Sequence, residues 1–145
     1  YRQRIHLPLI LSDSPLEILT QPPHKLLLID LHDHARIAGI QTLLEHAYGD
    51  RLQTVFSNPY YREVFAKEAG KGNSLQYLCN YLDIPLSDSF AAGDAENDLS
   101  MLQASGCAIV MCNGTEEVKK HADIITTRSN DESGLADIIY KYILV

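Results

Sequence analysis

The stretch Ser89-Phe90-Ala91-Ala92-Gly93-Asp94-Ala95-Glu96-Asn97-Asp98 decides the predicted fold. Its first four residues form a short, mostly apolar run without polar alternation, which is typical of a strand buried in a parallel sheet. Gly93 then allows a sharp turn, and residues 96–104 follow a helical pattern with Leu99 and Leu102 on one face. The stretch therefore predicts a strand, a turn and a helix, with acidic residues at the carboxyl end of the strand.

Apolar runs and helical patterns also alternate on both sides of this unit. A helix is predicted from near Asn73, with Leu75, Leu78, Cys79 and Leu82 on its inner face. Downstream we expect strands at 107–111 and 123–126, a short helix capped by Thr115, and a closing helix that turns Leu135, Ile138, Ile139 and Tyr142 inward. Strands that alternate with helices predict an α/β fold, in which helices cover both faces of a parallel sheet.

The chain before Gly70 lacks this regular alternation of strands and helices. Residues 1–24 contain Pro8, Pro15, Pro22 and Pro23 and are expected to form only short extended or helical pieces. We then expect a buried strand at 25–29, an amphipathic helix at 34–48 that ends at Gly49, and two strands at 52–56 and 62–66 joined by a turn. We predict a division into one unit at 1–66 and a second at 67–145.

Composition narrows the classes of function. The chain has 145 residues, of which 46% are hydrophobic, and a formal net charge of -7, which argues against a general binder of nucleic-acid phosphates. The apolar run Leu26–Ile29 is far shorter than the roughly 20 residues of a membrane span, and no signal peptide opens the chain. The three cysteines show no C-x-x-C spacing, so a disulfide framework is not expected. We expect no membrane partner and a cytoplasmic location.

The acidic residues after the strand suggest a metal site. Ligands of open parallel sheets bind at the carboxyl ends of strands, where Asp94 can offer a hard oxygen ligand and Asn97 and Asp98 return one turn later. A helix start with acidic residues that favour the helix dipole is an equally good interpretation of the spacing.

Two other candidates lie upstream. In Gly70-Lys71-Gly72 the cation stands before a helix N-terminus and could hold a phosphate oxygen, although a solvated loop lysine is the commoner interpretation. His32-Asp33-His34 offers metal-ligand types, but adjacent residues rarely converge on one ion, and Asp33 is a natural helix N-cap.

The order of motifs resembles a known family. The motifs are Lys71-Gly72-Asn73-Ser74-Leu75, the run from Gly93 to Leu102 (G-D-x-x-N-D-x-x-M-L), Ala108–Gly114, Val118-Lys119, Ala122-Asp123, Thr126 and Gly134–Ala136. They are similar to those of the Cof-type haloacid-dehalogenase-like phosphatases, from about Lys71 to the end of the chain. The resemblance implies a Rossmann-like core, and it makes residues 1 to about 66 similar to the latter part of the α/β cap inserted into that core.

The resemblance also implies roles for single residues. Asp94 would be the acidic ligand of a catalytic Mg²⁺, and Asp98 would lie in or next to the coordination sphere of this metal. Lys71 would neutralise the substrate phosphate, with Asn97 and Asn113 near the phosphate or the edge of the site. The implied function is Mg²⁺-dependent hydrolysis of a phosphomonoester of a small metabolite, such as a sugar phosphate.

The chain departs from the family's pattern at its start. The nucleophile motif D-x-D-x-T does not occur in the chain, and Leu28-Ile29-Asp30-Leu31-His32-Asp33 is assigned to the cap. We therefore expect the C-terminal part of a longer phosphatase, inactive alone, which self-associates or pairs with its missing N-terminal segment. Two alternatives stay open: a non-catalytic binding module with the same core, and a response-regulator-like domain.

Overall fold

A computed structural model describes residues 10–144, and these residues form two three-stranded sheets. The expectation for the first nine residues, which include Pro8, lies outside the described residues. In the rest of the proline-rich segment the chain forms one helical turn, α1 (Pro15–Ile18), which begins at a proline as helices often do. No helix of the described part is long and apolar enough to cross a membrane.

The first sheet is antiparallel. Its strands are β1 (Leu26–Ile29), β2 (Leu52–Asn58) and β3 (Tyr61–Ala66), in the spatial order β1-β3-β2. Glu63 of β3 lies opposite Leu27 on one side and Val55 on the other. The predicted strand at 25–29 is present, but its predicted burial is wrong. As an edge strand with one neighbour, β1 leaves Leu26 50% and Ile29 43% exposed.

Helix α2 (His34–Tyr48) packs on one face of this sheet and has the predicted bounds. The Asp33 side chain accepts a hydrogen bond from the Arg36 backbone N–H at 2.9 Å, which caps the first turn. The buried Arg62 side chain places its guanidinium 3.9 Å from the centre of the Phe56 ring and donates to Gln41 at 3.0 Å. Burial lowers the pKa of this guanidinium, and the aromatic face and amide partly replace its water.

The second sheet is parallel and confirms the predicted fold class. Strands β4 (Phe90–Gly93), β5 (Cys107–Val110) and β6 (Ile124–Ile125) lie in that order, with all neighbours parallel. The helices are α3 (Lys71–Leu82), α4 (Leu99–Ala104), α5 (Glu116–Lys119) and α6 (Gly134–Ile138), which continues as a π-helical turn at Ile139–Ile143. The Thr115 hydroxyl caps α5 as predicted, accepting from the Val118 N–H at 3.4 Å.

The core of this unit lies between the parallel sheet and its helices. It consists of Ala91, Leu102, Ala108, Val110 and Val118. Several predicted inward residues are exposed instead, because no described element covers their side of the molecule: Leu78, Leu82 and Tyr142. Strand β4 forms one edge of the sheet. The division of the chain at residue 66 stays a prediction.

Candidate active site

The site is built at the carboxyl ends of β4 and β5. The Met111 N–H donates to the Gly93 carbonyl at 3.0 Å and extends the pairing of the two strands. The Thr115 N–H donates to the Asp94 carbonyl at 3.1 Å, and the Asp94 N–H donates to Asp98 Oδ2 at 2.9 Å. The backbone of Asp94 is therefore held from both sides at the point where the strand ends.

Asp98 is the organising carboxylate of the site. Its side chain is 7% exposed, and Oδ2 accepts the backbone N–H groups of Asp94 at 2.9 Å and Ala95 at 3.3 Å. The other oxygen, Oδ1, accepts from Lys71 Nζ. A buried carboxylate is costly unless its oxygens are hydrogen-bonded, and here both oxygens have protein donors. Asp98 thereby links Lys71 to the turn that carries Asp94.

Lys71 reaches Asp98 because the start of α3 packs closely on α4. Gly72 is buried, and a Cβ at this position would lie 2.5 Å from the Ser100 carbonyl oxygen. Its N–H instead donates to the Ser100 hydroxyl at 3.1 Å. Gly70 has φ of +126°, a conformation that side chains with a Cβ rarely adopt. The two glycines thus place the ammonium of Lys71 at the site from a position 27 residues before Asp98.

A cavity of about 490 Å³ opens beside Lys71. One wall is the face of the antiparallel sheet that points away from α2, formed by residues of alternate position such as Val55, Glu63 and Phe65. The opposite wall contains Lys71 and Asn97 together with residues of α4. The volume lies in the range of small-molecule pockets. The lining includes a cation, Lys71, an anion, Glu63, and the apolar ring of Phe65.

Of the predicted phosphate-binding residues, Lys71 and Asn97 share this cavity, whereas Asn113 does not line it. Asn113 follows β5, and its side-chain oxygen accepts from the Asn130 backbone N–H at 3.2 Å. That contact holds the loop after β6 near the same end of the sheet. In the structure, Asn113 therefore supports the loop that follows β6.

The donor set can be tested against Mg²⁺. Within residues 10–144 the Asp94 carboxylate makes no hydrogen bond and no ion pair, so its oxygens are free to bind a ligand. No group of three or more His, Cys, Asp or Glu side chains in the described part could hold a metal ion. Mg²⁺ commonly takes one or two carboxylates and fills its other positions with water and substrate phosphate. One free carboxylate fits that preference, although Asp94 is not among the residues that line the cavity beside Lys71.

The segment 30–34 forms a turn and a helix start. The Asp30 carboxylate accepts the backbone N–H groups of His32 and Asp33, both at 3.0 Å, and these bonds lower its pKa. Asp33 caps α2, while the His34 ring stacks on Phe56 at 4.9 Å between centroids. The predicted N-cap is confirmed, and each acid of the segment has a structural contact.

Two residues to which the sequence assigned no part in the site hold the chain just before Lys71. Gln53 donates to the carbonyls of Lys67, at 2.9 Å, and Ala69. Asn73 donates to the Glu68 carbonyl at 2.8 Å. No sequence signal marks the contact of Gln53, because a side-chain amide 14 residues from its acceptor has no periodic pattern.

Comparison with known proteins agrees with this geometry. Residues 6–139 match the haloacid dehalogenase-like hydrolase family. A candidate phosphatase of Streptococcus pyogenes is 37% identical over 131 residues, which are 90% of this chain and 48% of that protein. A Bacillus subtilis protein named as a 5-amino-6-(5-phospho-D-ribitylamino)uracil phosphatase is 36% identical over 89 residues, 61% of this chain and 31% of that protein.

A solved haloacid dehalogenase-like hydrolase from B. subtilis superposes with a TM-score of 0.79 at 32% identity, covering 91% of this chain and 46% of the other. The chain thus spans about half the length of the relatives that it matches over most of its own length. With the match to residues 6–139, these similarities show that the chain belongs to the haloacid dehalogenase-like hydrolases, among the phosphatases of the Cof type.

Proposed function

We propose that this chain supplies the cation, the acidic metal ligand and part of the substrate cavity of a phosphomonoester hydrolase. The observation that carries the proposal is the connection from Lys71 through the Asp98 carboxylate to the backbone of Asp94. It places a cation and a free carboxylate at one end of a parallel sheet. Phosphoryl transfer needs this kind of charge compensation more than it needs covalent chemistry from the protein.

In this mechanism Lys71 binds the phosphate. Its side chain is half-exposed at 48%, whereas Asp98 is 7% exposed, so the ammonium can turn a hydrogen toward a ligand in the cavity while its partner stays fixed. A Lys ammonium has three donors, and Asp98 uses one of them. Asp98 does not need to touch substrate, because it orients Lys71 and the backbone of Asp94 and Ala95.

Asp94 would hold the Mg²⁺, and Asp98 would lie next to the coordination sphere, since its oxygens already have protein donors. When bound, this metal would compensate the negative charge of the phosphoryl group. The protein's own contribution is to hold the Asp94 backbone through Thr115 and Asp98, so that the carboxylate does not have to be ordered when the substrate arrives.

The substrate would be a small phosphorylated metabolite such as a sugar phosphate. The support is the size of the cavity, about 490 Å³, and its polar and charged lining residues, which include Glu63 and Asn97. The ribitylamino-uracil phosphatase of B. subtilis acts, by its name, on a phosphorylated polyol of this general kind. A hydroxyl-rich organic group would find both donors and acceptors in the lining.

The nucleophile would come from outside these 145 residues. The chain spans about half the length of the relatives it matches, and it contains no D-x-D-x-T motif. We propose that the complete protein carries that motif on a further core strand, that residues 1–66 form part of its cap and residues 67–145 part of its core. The exposed edge of β4 and the exposed side chains Leu78, Leu82 and Phe90 give such a segment a place to pack.

The test is hydrolysis by the full-length protein. Purified protein is stripped of metal with a chelator and assayed for phosphate release from a panel of phosphomonoesters, with and without added Mg²⁺. The proposal expects release that depends on Mg²⁺ and is highest for sugar or polyol phosphates. Folded full-length protein that releases no phosphate from any member of the panel would favour the non-catalytic binding module.

A further inference from the structure

Residues 67–70 connect β3 to α3, and backbone hydrogen bonds hold this connection at several points. The Lys67 N–H donates to the Arg51 carbonyl at 3.0 Å, and the Ala69 N–H donates to the Ala66 carbonyl at 2.9 Å. At the far end, the Ser74 N–H donates to the Gly70 carbonyl at 2.9 Å and starts the helix. A short connection with these bonds has few conformations open to it.

Side-chain amides bind the remaining carbonyls of the connection. Gln53 Nε2 donates to the Lys67 carbonyl at 2.9 Å and also to the Ala69 carbonyl. The Asn73 side-chain amide donates to the Glu68 carbonyl at 2.8 Å. Gln53 lies on β2, so its amide ties the antiparallel sheet to the residues just before Lys71. The contact spans 16 residues of sequence and is made by one side chain.

The amide of Gln53 also lies against Gly70. A Cβ at position 70 would be 3.0 Å from Gln53 Nε2, so the glycine leaves the space that the amide needs. The next residue is Lys71, whose ammonium pairs with Asp98. The ion pair with Asp98 orients the end of the Lys71 side chain, which is 48% exposed, whereas the position of the backbone that carries it depends on other contacts.

We propose that Gln53 is a positioning residue for Lys71. By holding the carbonyls of Lys67 and Ala69, it sets where α3 begins and hence where the ammonium of Lys71 meets a phosphate. It makes the position of the cation depend on the antiparallel sheet, which forms the other wall of the cavity. This inference rests on the proposed function, since it assigns to Lys71 the binding of phosphate.

The first experiment compares two substitutions in the full-length protein. Gln53→Met keeps the length of the side chain and removes both N–H donors, and Gln76→Met makes the same change at an exposed position of α3. The measurements are kcat and KM with p-nitrophenyl phosphate and the inhibition constant of inorganic phosphate. Gln53→Met is expected to weaken inhibition by phosphate about tenfold, since small displacements of a binding group are costly, and Gln76→Met to leave it unchanged.

A double-mutant cycle separates positioning from a merely structural role. In the Lys71→Ala background, Gln53→Met is expected to cause no further loss of phosphate binding, because the group that it positions is absent. An additive loss in that background would overturn the inference, since Gln53 would then act on the phosphate directly or through general stability. Wild-type protein that releases no phosphate would overturn the proposed function, and the inference with it.

Hydrogen exchange gives a measurement that does not need turnover. The Ser74 N–H is bonded to the Gly70 carbonyl and reports the start of α3. Its exchange is expected to be at least about tenfold faster in Gln53→Met, and also in Gln53→Glu should the methionine variant not fold, because local openings of the helix start become more frequent. Unchanged exchange in a folded variant would overturn the positioning role.

Discussion

The side chain of Asp98 folds back over Gly93, so that a Cβ at position 93 would lie 2.4 Å from the Asp98 Cβ. The absence of a side chain at Gly93 is what lets the Asp98 carboxylate reach the backbone N–H of Asp94 at 2.9 Å. The spacing of glycine and the second aspartate in the G-D-x-x-N-D motif thus has a steric reason. It joins the end of a strand to the carboxylate that pairs with Lys71.

Gly93→Ala is therefore expected to destabilise the protein by about 1–3 kcal/mol, the usual cost of overpacking a buried contact. Gly39→Ala is the matched control, because Gly39 lies within α2 and a Cβ added there would have no atom within 4 Å. This substitution should stabilise the protein by about 0.5–1 kcal/mol, since alanine favours the helix more than glycine does. Denaturant unfolding measures both changes. A Gly93→Ala protein as stable as wild type would show that Asp98 does not occupy this space.

Under the proposed function, Lys71→Ala is expected to lower kcat/KM of the full-length protein by about a hundredfold or more, because it removes the cation proposed to bind the phosphate. Lys120→Ala removes an exposed lysine that pairs with Glu117 and should leave kcat/KM unchanged. Steady-state kinetics on the two variants provide the comparison. Equal activities would argue that Lys71 serves only to neutralise Asp98.

Asp33→Ala tests the assignment of segment 32–34 as a helix start. The loss of the bond from the Arg36 N–H should lower the free energy of unfolding by about 1 kcal/mol, while Asp33→Ser, which retains a capping oxygen, should stay close to wild type. Activity and metal requirement should not change. A reduced affinity for metal in Asp33→Ala would revive the metal-site interpretation of His32-Asp33-His34.

The edge of β4 predicts self-association of the 145-residue chain alone. Phe90 is 42% exposed at this edge, and unpaired strand edges with apolar residues tend to pair with other chains. Sedimentation should show a mass that rises with concentration, and Phe90→Lys should reduce this rise. Tyr60→Lys is the control, because Tyr60 lies at a hairpin turn and is 47% exposed. This substitution should leave the rise in mass unchanged. A chain that stays monomeric at all concentrations contradicts the expectation.

The sequence could predict the elements whose signals are local. The bounds of α2 followed from its apolar spacing between Asp33 and Gly49, and the parallel sheet followed from short apolar runs that alternate with helices. The motif around Gly93 was predicted to follow a strand of the parallel sheet, and the structure places it at the carboxyl end of β4.

Burial and long-range contacts could not be predicted in the same way. The exposure of β1 and of Leu78 depends on which elements lie beside them, and apolar spacing does not contain that information. The bonds from Gln53 to the carbonyls before Lys71 join a strand to a distant connection, and a lone glutamine in a strand gives no sign of them. The role of Asn113 was inferred from the resemblance, whereas its contact with Asn130 is visible only in the structure.

The most direct test of the central claim is the rate of phosphate release by full-length Asp94→Asn in saturating Mg²⁺. The Asp94 carboxylate makes no hydrogen bond within residues 10–144, so the substitution should leave the thermal midpoint nearly unchanged. The rate should nonetheless fall by at least about a hundredfold if Asp94 is the metal ligand, because changing a residue that only orients a metal ligand already costs about 10–100-fold. A variant that keeps the wild-type rate would contradict the assignment of Asp94, and with it the account of this site.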